Sequence, residues 1–118
     1  MIDPPYQWQV ALAELDPVRG SEQAGSRPVL VVSNEAINEA LSVVAVLPLT
    51  TYRPGRRVYS TEIRLPAEAA GQPNPSIVMA HQIRTVAKER LSRSYGWLRD
   101  EILRQQVRSA LRVYLDLS

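Results

Sequence analysis

Two stretches of the chain concentrate side chains able to act on a phosphate: Arg19 to Arg27 (RGSEQAGSR) and Thr50 to Arg57 (TTYRPGRR). Guanidinium forks bind two phosphate oxygens at once, and tyrosine faces accept unpaired bases by stacking. If both stretches lie on one rim, Arg19, Arg27, Arg53, Arg56 and Arg57 flank a single groove, with Tyr52 and Tyr59 as platforms. That arrangement would suit single-stranded nucleic acid. The competing reading is a set of solvated loop charges. Arg27 stands apart from a surface arginine because Pro28 forces it toward extended geometry at the mouth of an apolar run.

The residues that are missing narrow the chemistry further. The chain has no cysteine and one histidine, His81. Disulfides, thiol catalysis, two-histidine acid/base chemistry and the usual zinc sites are thereby excluded, and catalysis falls to Arg, Thr, Ser, Glu, Asp or Tyr. No metal or cofactor is expected. A lone histidine beside a strand is more simply a structural residue. Of the 14 basic residues only Lys88 is lysine, so 13 are arginine. Phosphate binding would favour that usage, and so would GC-rich coding bias, with which the nine prolines agree. The net charge of +2 does not by itself mark a nucleic-acid binder.

These residues need a scaffold, and 118 residues at 45% hydrophobic allow one compact domain over 1–118, with a radius of gyration of about 13 to 14 Å. No apolar run approaches the ~20 residues that span a bilayer. The opening Met1-Ile2-Asp3-Pro4-Pro5 lacks the basic and apolar regions of a secretory signal, so a cytoplasmic location is expected. Tyr6, Trp8, Val10 and Leu12 alternate with Gln7, Gln9, Ala11 and Ala13, which predicts a first strand. Asp16 to Pro28 reads as a long ordered loop, Val29 to Val32 as a buried strand, and Asn34 as the N-cap of a brief helix through Leu41. Val43 to Leu49 is a second buried strand, followed by the Thr50 to Tyr59 loop.

Thr61 to Leu65 alternates as a half-exposed strand, 66–75 is a proline-bounded turn, and Ile77 to Ala80 and Leu91 to Trp97 are extended. Arg99 to Asp116 has a helical apolar stripe of Ile102, Leu103, Val107, Ala110, Leu111 and Tyr114, with expected i,i+4 pairs Asp100–Arg104 and Arg112–Asp116. On the same helix Arg104, Arg108 and Arg112 form a basic stripe, either a solvated face or a contact for an acidic partner. The whole predicts a mainly β fold with α: a small, partly open barrel capped by a C-terminal helix.

Gly20-Ser21-Glu22-Gln23-Ala24-Gly25-Ser26-Arg27-Pro28-Val29-Leu30-Val31-Val32-Ser33, then Leu47-Pro48-Leu49-Thr50-Thr51, then Gln82-Ile83-Arg84-Thr85 with Lys88 and Arg90-Leu91, closely resemble the MazF/PemK toxins of bacterial toxin–antitoxin systems. The likeness runs from Ala11 to Leu117 with every block in order. It implies an SH3-like barrel of the CcdB-PemK kind, a homodimer, and metal-independent cleavage of single-stranded RNA, mainly messenger RNA, at short motifs. It also implies restraint by a cognate antitoxin with an acidic disordered tail.

The resemblance places the catalytic arginine at Arg27, the catalytic threonine at Thr50 and the loop acid at Glu22, which, with no histidine pair in the chain, is either the titrating partner or a carboxylate that tethers Arg19 or Arg27. It puts Gln82 near the RNA and leaves Arg19, Ser21, Gln23, Thr51, Tyr52, Arg53, Arg56 and Arg57 as substrate-binding candidates. Cleavage through the substrate's own 2′-hydroxyl requires no protein nucleophile. It requires stabilisation of the charge on the five-coordinate phosphate, which a preorganised guanidinium supplies. The chain departs from the family at its start, with Trp8-Gln9 and Leu12 where Gly-Asp and a tryptophan within the strand are usual. Toxins resembling CcdB share the barrel but poison gyrase through aromatic and glycine residues at the extreme C-terminus, and this chain ends Leu115-Asp116-Leu117-Ser118. A catalytically silent binding module is the other alternative, against which the intact Arg27 and Thr50 argue.

Overall fold

The computed structural model describes residues 1–15 and 25–118. In chain order these form β1 (Gln9–Leu15), β2 (Gly25–Val31), α1 (Glu35–Ala40), β3 (Val43–Thr51), β4 (Glu62–Leu65), β5 (Ser76–Met79), a 3-10 turn (Ala80–Gln82), β6 (Arg84–Ala87), a second 3-10 turn (Lys88–Arg90), β7 (Leu91–Trp97) and α2 (Glu101–Leu115). All strand pairs are antiparallel, in the order β4-β5-β3-β2-β1-β7, with β6 also on β3. The mainly β fold with a terminal helix is as expected, and the radius of gyration is 13.2 Å.

β3 is the strand that divides the sheet. Val46 pairs with Val31 of β2 on one side and with Arg84 of β6 on the other. Beyond Pro48 the pairing with β2 stops, and Leu49, Thr50 and Thr51 pair only with Val78, Ile77 and Ser76 of β5. Pro28 has no N–H to continue a ladder, so the N-terminal half of β2 is free to diverge from β3. A cleft opens where they part.

Alternation along the central strands sends apolar side chains to both faces. Leu30, Leu47 and Leu49 join one core cluster with Val78, Leu98, Val107 and Ala110. Val29, Val31, Val44 and Val46 join a second with Ala11, Ala13, Leu15, Val86 and Leu91. α2 closes the first cluster by burying Val107 and Ala110 against β4 and the first 3-10 turn. Each fully buried Val or Leu contributes about 1.5–3 kcal/mol.

The two edge strands of the path do not pair, yet the sheet curls until the turn after β4 lies against β7. A Cβ on Gly71 would lie 2.0 Å from the Tyr95 carbonyl oxygen, and one on Gly96 would lie 2.9 Å from that of Ala70. Only glycines let the turn after β4 touch β7 this closely. The partly open barrel is sealed there by backbone contact.

Several local expectations change. Trp8 has φ +69°, so β1 starts at Gln9, whose buried side chain donates to the carbonyls of Asp3 and Pro5, both at 3.0 Å. β2 starts at Gly25, so Arg27 lies within a strand, opposite Ala13 of β1, and not in a loop ending at Pro28. β6, which the sequence pattern did not single out, fills the edge of β3. In α2, Asp100 does not pair with Arg104. It accepts from the Leu103 N–H as the N-cap at 3.0 Å, while Arg104 Nε donates to the Leu98 carbonyl at 2.6 Å. Asp116 likewise is the left-handed C-cap, and the ion pair on this helix is Glu101–Arg108 at 3.1 Å. Arg104 and Arg108 both stack on Trp8, at 5.2 and 5.1 Å, so the basic stripe in part clamps the helix to the start of β1. Ile102 and Tyr114, expected in the apolar stripe, are exposed.

Candidate active site

The cleft between β2 and β3 has a volume of about 430 Å³ and is lined by Arg27, Thr50, Thr51, Arg53, Asn74 and Tyr95, among others. Continuing the pairing of Val29 with Pro48 outward by two residues sets Arg27 opposite Thr50. Alternation gives them the face shared by Val29, Val31, Val44 and Val46. Each is therefore one step beyond a buried valine or proline on a rigid strand. A site built on strands holds its geometry better than one built on loops.

Arg27 is half-buried, and among the described residues its buried Nε has no hydrogen-bond partner. Among the described residues no carboxylate forms an ion pair with it. A buried donor left unmatched costs about 1–3 kcal/mol, which an anionic ligand would recover. Among the described residues no three acidic, histidine or cysteine side chains gather as metal ligands.

The other predicted residues separate into groups. Thr51 and Arg53 line the cleft with Arg27 and Thr50. Arg56 does not: its guanidinium holds Glu62 through Nη1–Oε1 at 3.0 Å and Nη2–Oε2 at 2.8 Å, and donates to the Arg57 carbonyl. That pairing, then the Tyr59 N–H, holds the Glu62 carboxyl below the usual carboxylate range although burial opposes it. The two tyrosine platforms are capped by arginines, Tyr52 by Arg64 at 4.0 Å and Tyr59 by Arg57 at 4.9 Å. Neither ring lines the cleft. Gln82 sits on the first 3-10 turn, outside the cleft lining. His81 lies 3.2 Å from the Thr61 hydroxyl through Nδ1, consistent with a structural role. Arg19, Ser21, Glu22 and Gln23 fall outside the described residues.

The structure adds a wall that the sequence pattern did not reveal. Buried Gln72 accepts from the Ala70 N–H at 2.8 Å and donates to the carbonyls of Pro66 at 2.8 Å and Asn74 at 3.3 Å. Ser76 Oγ donates to the Asn74 carbonyl at 2.8 Å, and the Tyr52 N–H to that of Pro75 at 2.8 Å. These bonds fix the 72–76 segment beside Thr50 and Thr51. GQPNP had read only as a turn, because its role depends on the curl that brings Gly71 to Tyr95.

Residues 6–115 match the family described as PemK-like, MazF-like toxin of type II toxin–antitoxin system. The chain is 36% identical over 108 residues to endoribonuclease EndoA of Bacillus subtilis (strain 168), covering 92% of this chain and 91% of that protein. It is 37% identical over 115 residues to endoribonuclease MazF9 of Mycobacterium tuberculosis, covering 93% and 92%. Among solved structures it is similar to a mycobacterial endoribonuclease in complex with its cognate antitoxin, at TM-score 0.77 and 27% identity over 98% of both chains. MazF of Deinococcus radiodurans is similar at TM-score 0.76 and 26% identity, covering 95% of this chain and 96% of that one.

Proposed function

Since this chain belongs to the PemK-like, MazF-like toxin family, we propose that residues 1–118 form one toxin domain that cleaves single-stranded RNA at the β2/β3 cleft. The observation that carries this reading is the buried Arg27 Nε, unpartnered among the described residues, in a cleft shared with Thr50. Such a site suits an anion, and a phosphodiester presents two oxygens to a guanidinium fork.

In the reaction, the 2′-hydroxyl of the nucleotide 5′ to the scissile bond loses its proton and its oxygen bonds to phosphorus. The bond from phosphorus to the 5′-oxygen breaks, and that oxygen takes up a proton. Arg27 stabilises the added charge on the five-coordinate phosphate, a role typically worth about 10²- to 10³-fold in rate for one preorganised donor. A guanidinium binds charge far better than it exchanges protons, so Arg27 acts on the phosphate and not as the acid or base. The Thr50 hydroxyl holds a phosphate oxygen or orients the 2′-hydroxyl, and Glu22 is the titrating partner. Thr51 and Arg53 extend phosphate binding along the strand end, with Gln82, Arg19, Ser21 and Gln23 as further substrate contacts. No metal takes part.

A cognate antitoxin holds the activity in check, as the antitoxin complex of the mycobacterial endoribonuclease suggests. The protein works as a homodimer in the cytoplasm on messenger RNA; among the described residues no helix is long and apolar enough to cross a membrane. Sequencing the RNA ends left by the purified protein tests the reading. Cuts should recur at one short motif and leave 5′-hydroxyl ends, and intact RNA would refute it.

A further inference from the structure

We propose that Tyr95 and Asn74 form a base-reading subsite in this cleft: one unpaired nucleobase beside the scissile phosphate stacks on the Tyr95 ring and meets the Asn74 carboxamide with its edge. The inference rests on the proposed RNA cleavage and names how that site would distinguish sequences.

Tyr95 is the one tyrosine among five that lines the cleft. The ring is half-buried against the core cluster of Leu30, Leu49 and Leu98, so it presents a fixed surface. Arg93 approaches it at 5.4 Å, more loosely than Arg64 caps Tyr52 at 4.0 Å. Its backbone is held as well, because Gly71 packs directly on the Tyr95 carbonyl and Gly96 on that of Ala70. The seam that closes the barrel thus sets the ring beside the segment carrying Asn74.

Asn74 is anchored through its main chain. Its carbonyl accepts from Gln72 and Ser76, at 3.3 and 2.8 Å, while its exposed carboxamide makes no hydrogen bond among the described residues. A carboxamide carries both a donor pair and an acceptor, which is what discrimination between base edges needs. A stacking face supplies affinity with little sequence preference, whereas an edge contact supplies preference. The two residues therefore divide the work, and Arg27 and Thr50 across the cleft hold the phosphate. A volume of about 430 Å³ admits a base with its phosphate.

The test is single-turnover cleavage of a short RNA that the wild type cuts, combined with abasic substitution at each nucleotide flanking the scissile bond. Tyr95→Ala and Tyr95→Leu should lower the rate constant over KM by about 5- to 150-fold, while Tyr95→Phe restores it, since stacking needs the ring and not the hydroxyl. At one position, removing the base should cost the wild type a similar factor and cost the Tyr95→Leu variant clearly less, only the Asn74 edge contact remaining to be lost. Asn74→Asp should change the preferred base at that same position when a randomised RNA pool is cut and its ends are sequenced. Tyr95→Leu keeps apolar packing against the core and carries the test if Tyr95→Ala fails to fold. Wild-type rates and motif in Tyr95→Leu, or losses that multiply in full with an abasic nucleotide at every position, would overturn the subsite while leaving RNA cleavage standing. A wild type that leaves RNA intact would instead overturn the proposed function on which it rests.

Discussion

Arg56 and Glu62 meet as a two-pronged ion pair, at 3.0 and 2.8 Å, in which the acid's side chain is 3% exposed and the arginine's 31%. The Tyr59 N–H donates to the same carboxylate at 3.1 Å, so one buried acid ties down the 56–59 turn at both ends. Drawing Arg56 away to an RNA phosphate would strand a buried charge, which is costly. Neighbouring arginines of one loop thus have different duties, and Arg53 is the one that lines the cleft.

Arg56→Ala is accordingly expected to lower stability by about 1–3 kcal/mol in urea unfolding, the range for a charged hydrogen-bond partner lost from a buried group. Arg53→Ala should leave the unfolding midpoint alone and flatten the log–log salt dependence of RNA binding by about one unit. Salt titrations beside unfolding curves check both. A flattened slope in Arg56→Ala with stability intact would exchange the two assignments.

The same acid links stability to pH. With its pKa held down in the fold by Arg56 and the Tyr59 N–H, Glu62 contributes stability above the unfolded carboxylate value of about 4.3. That contribution is lost as pH falls through its lower folded pKa. Glu35 behaves alike: burial opposes ionisation, but N–H donors of Gln7 and Tyr6 outweigh it. Wild type should exceed Glu62→Gln in stability by a steady margin from neutrality to about pH 5, and the margin should close below about pH 4. Unfolding measured across that range tests the sign, and a gap that widened in acid would contradict it.

The parts of this molecule that were legible in sequence are those set by local pattern. The apolar runs Val29 to Val32 and Val43 to Leu49 read directly as buried strands, and Asn34 caps α1 by accepting from the Ile37 N–H at 3.2 Å. Arg27 stood out through Pro28, and it lies in the cleft with Thr50. The RPV boundary still misled, since Gly25 to Arg27 is polar and becomes strand only by pairing with β1. Counting arginines could not separate Arg53 from Arg56, because the separation depends on Glu62 arriving from β4. Tyr95 gave no signal at all: its place in the cleft follows from the Gly71 and Gly96 contact across the barrel seam.

That seam makes a comparison of two glycines informative. Both Gly71 and Gly55 have positive φ, +84° and +85°, yet a Cβ at Gly55 would meet nothing within 4 Å. Gly55→Ala should cost only the backbone strain, about 1 kcal/mol, whereas Gly71→Ala adds a collision with the Tyr95 carbonyl and should cost at least about 2 kcal/mol. Equal losses in urea unfolding would show that the seam yields easily and that the cleft wall is not held by it.

Arg27→Ala should lower RNA cleavage by at least about 10²-fold, and Thr50→Ala should act similarly with more residual activity. The unpartnered Nε gives this variant a second signature. Among the described residues that donor has no acceptor, so removing it relieves a cost and Arg27→Ala should be at least as stable as wild type. Thermal unfolding beside cleavage assays reads both quantities. A clear drop in stability would mean that Arg27 supports the fold, and wild-type cleavage would remove it from the reaction.

The identity of the nucleophile is the sharpest test of the proposed chemistry, because attack by the substrate's 2′-hydroxyl makes RNA a reactant, where a water-using nuclease would tolerate DNA. Replacing only the nucleotide 5′ to the scissile bond by its 2′-deoxy form should abolish cleavage. Binding should persist, since Arg27 and Arg53 would contact phosphate oxygens that the deoxy substrate retains. All-RNA substrate should yield 5′-hydroxyl ends opposite 2′,3′-cyclic phosphate or 3′-phosphate, and excess EDTA should not slow it. Cleavage of the deoxy-substituted strand, or 5′-phosphate products, would identify water as the nucleophile. Arg27 would then stabilise a different transition state, and a base able to activate water would have to be sought near Thr50.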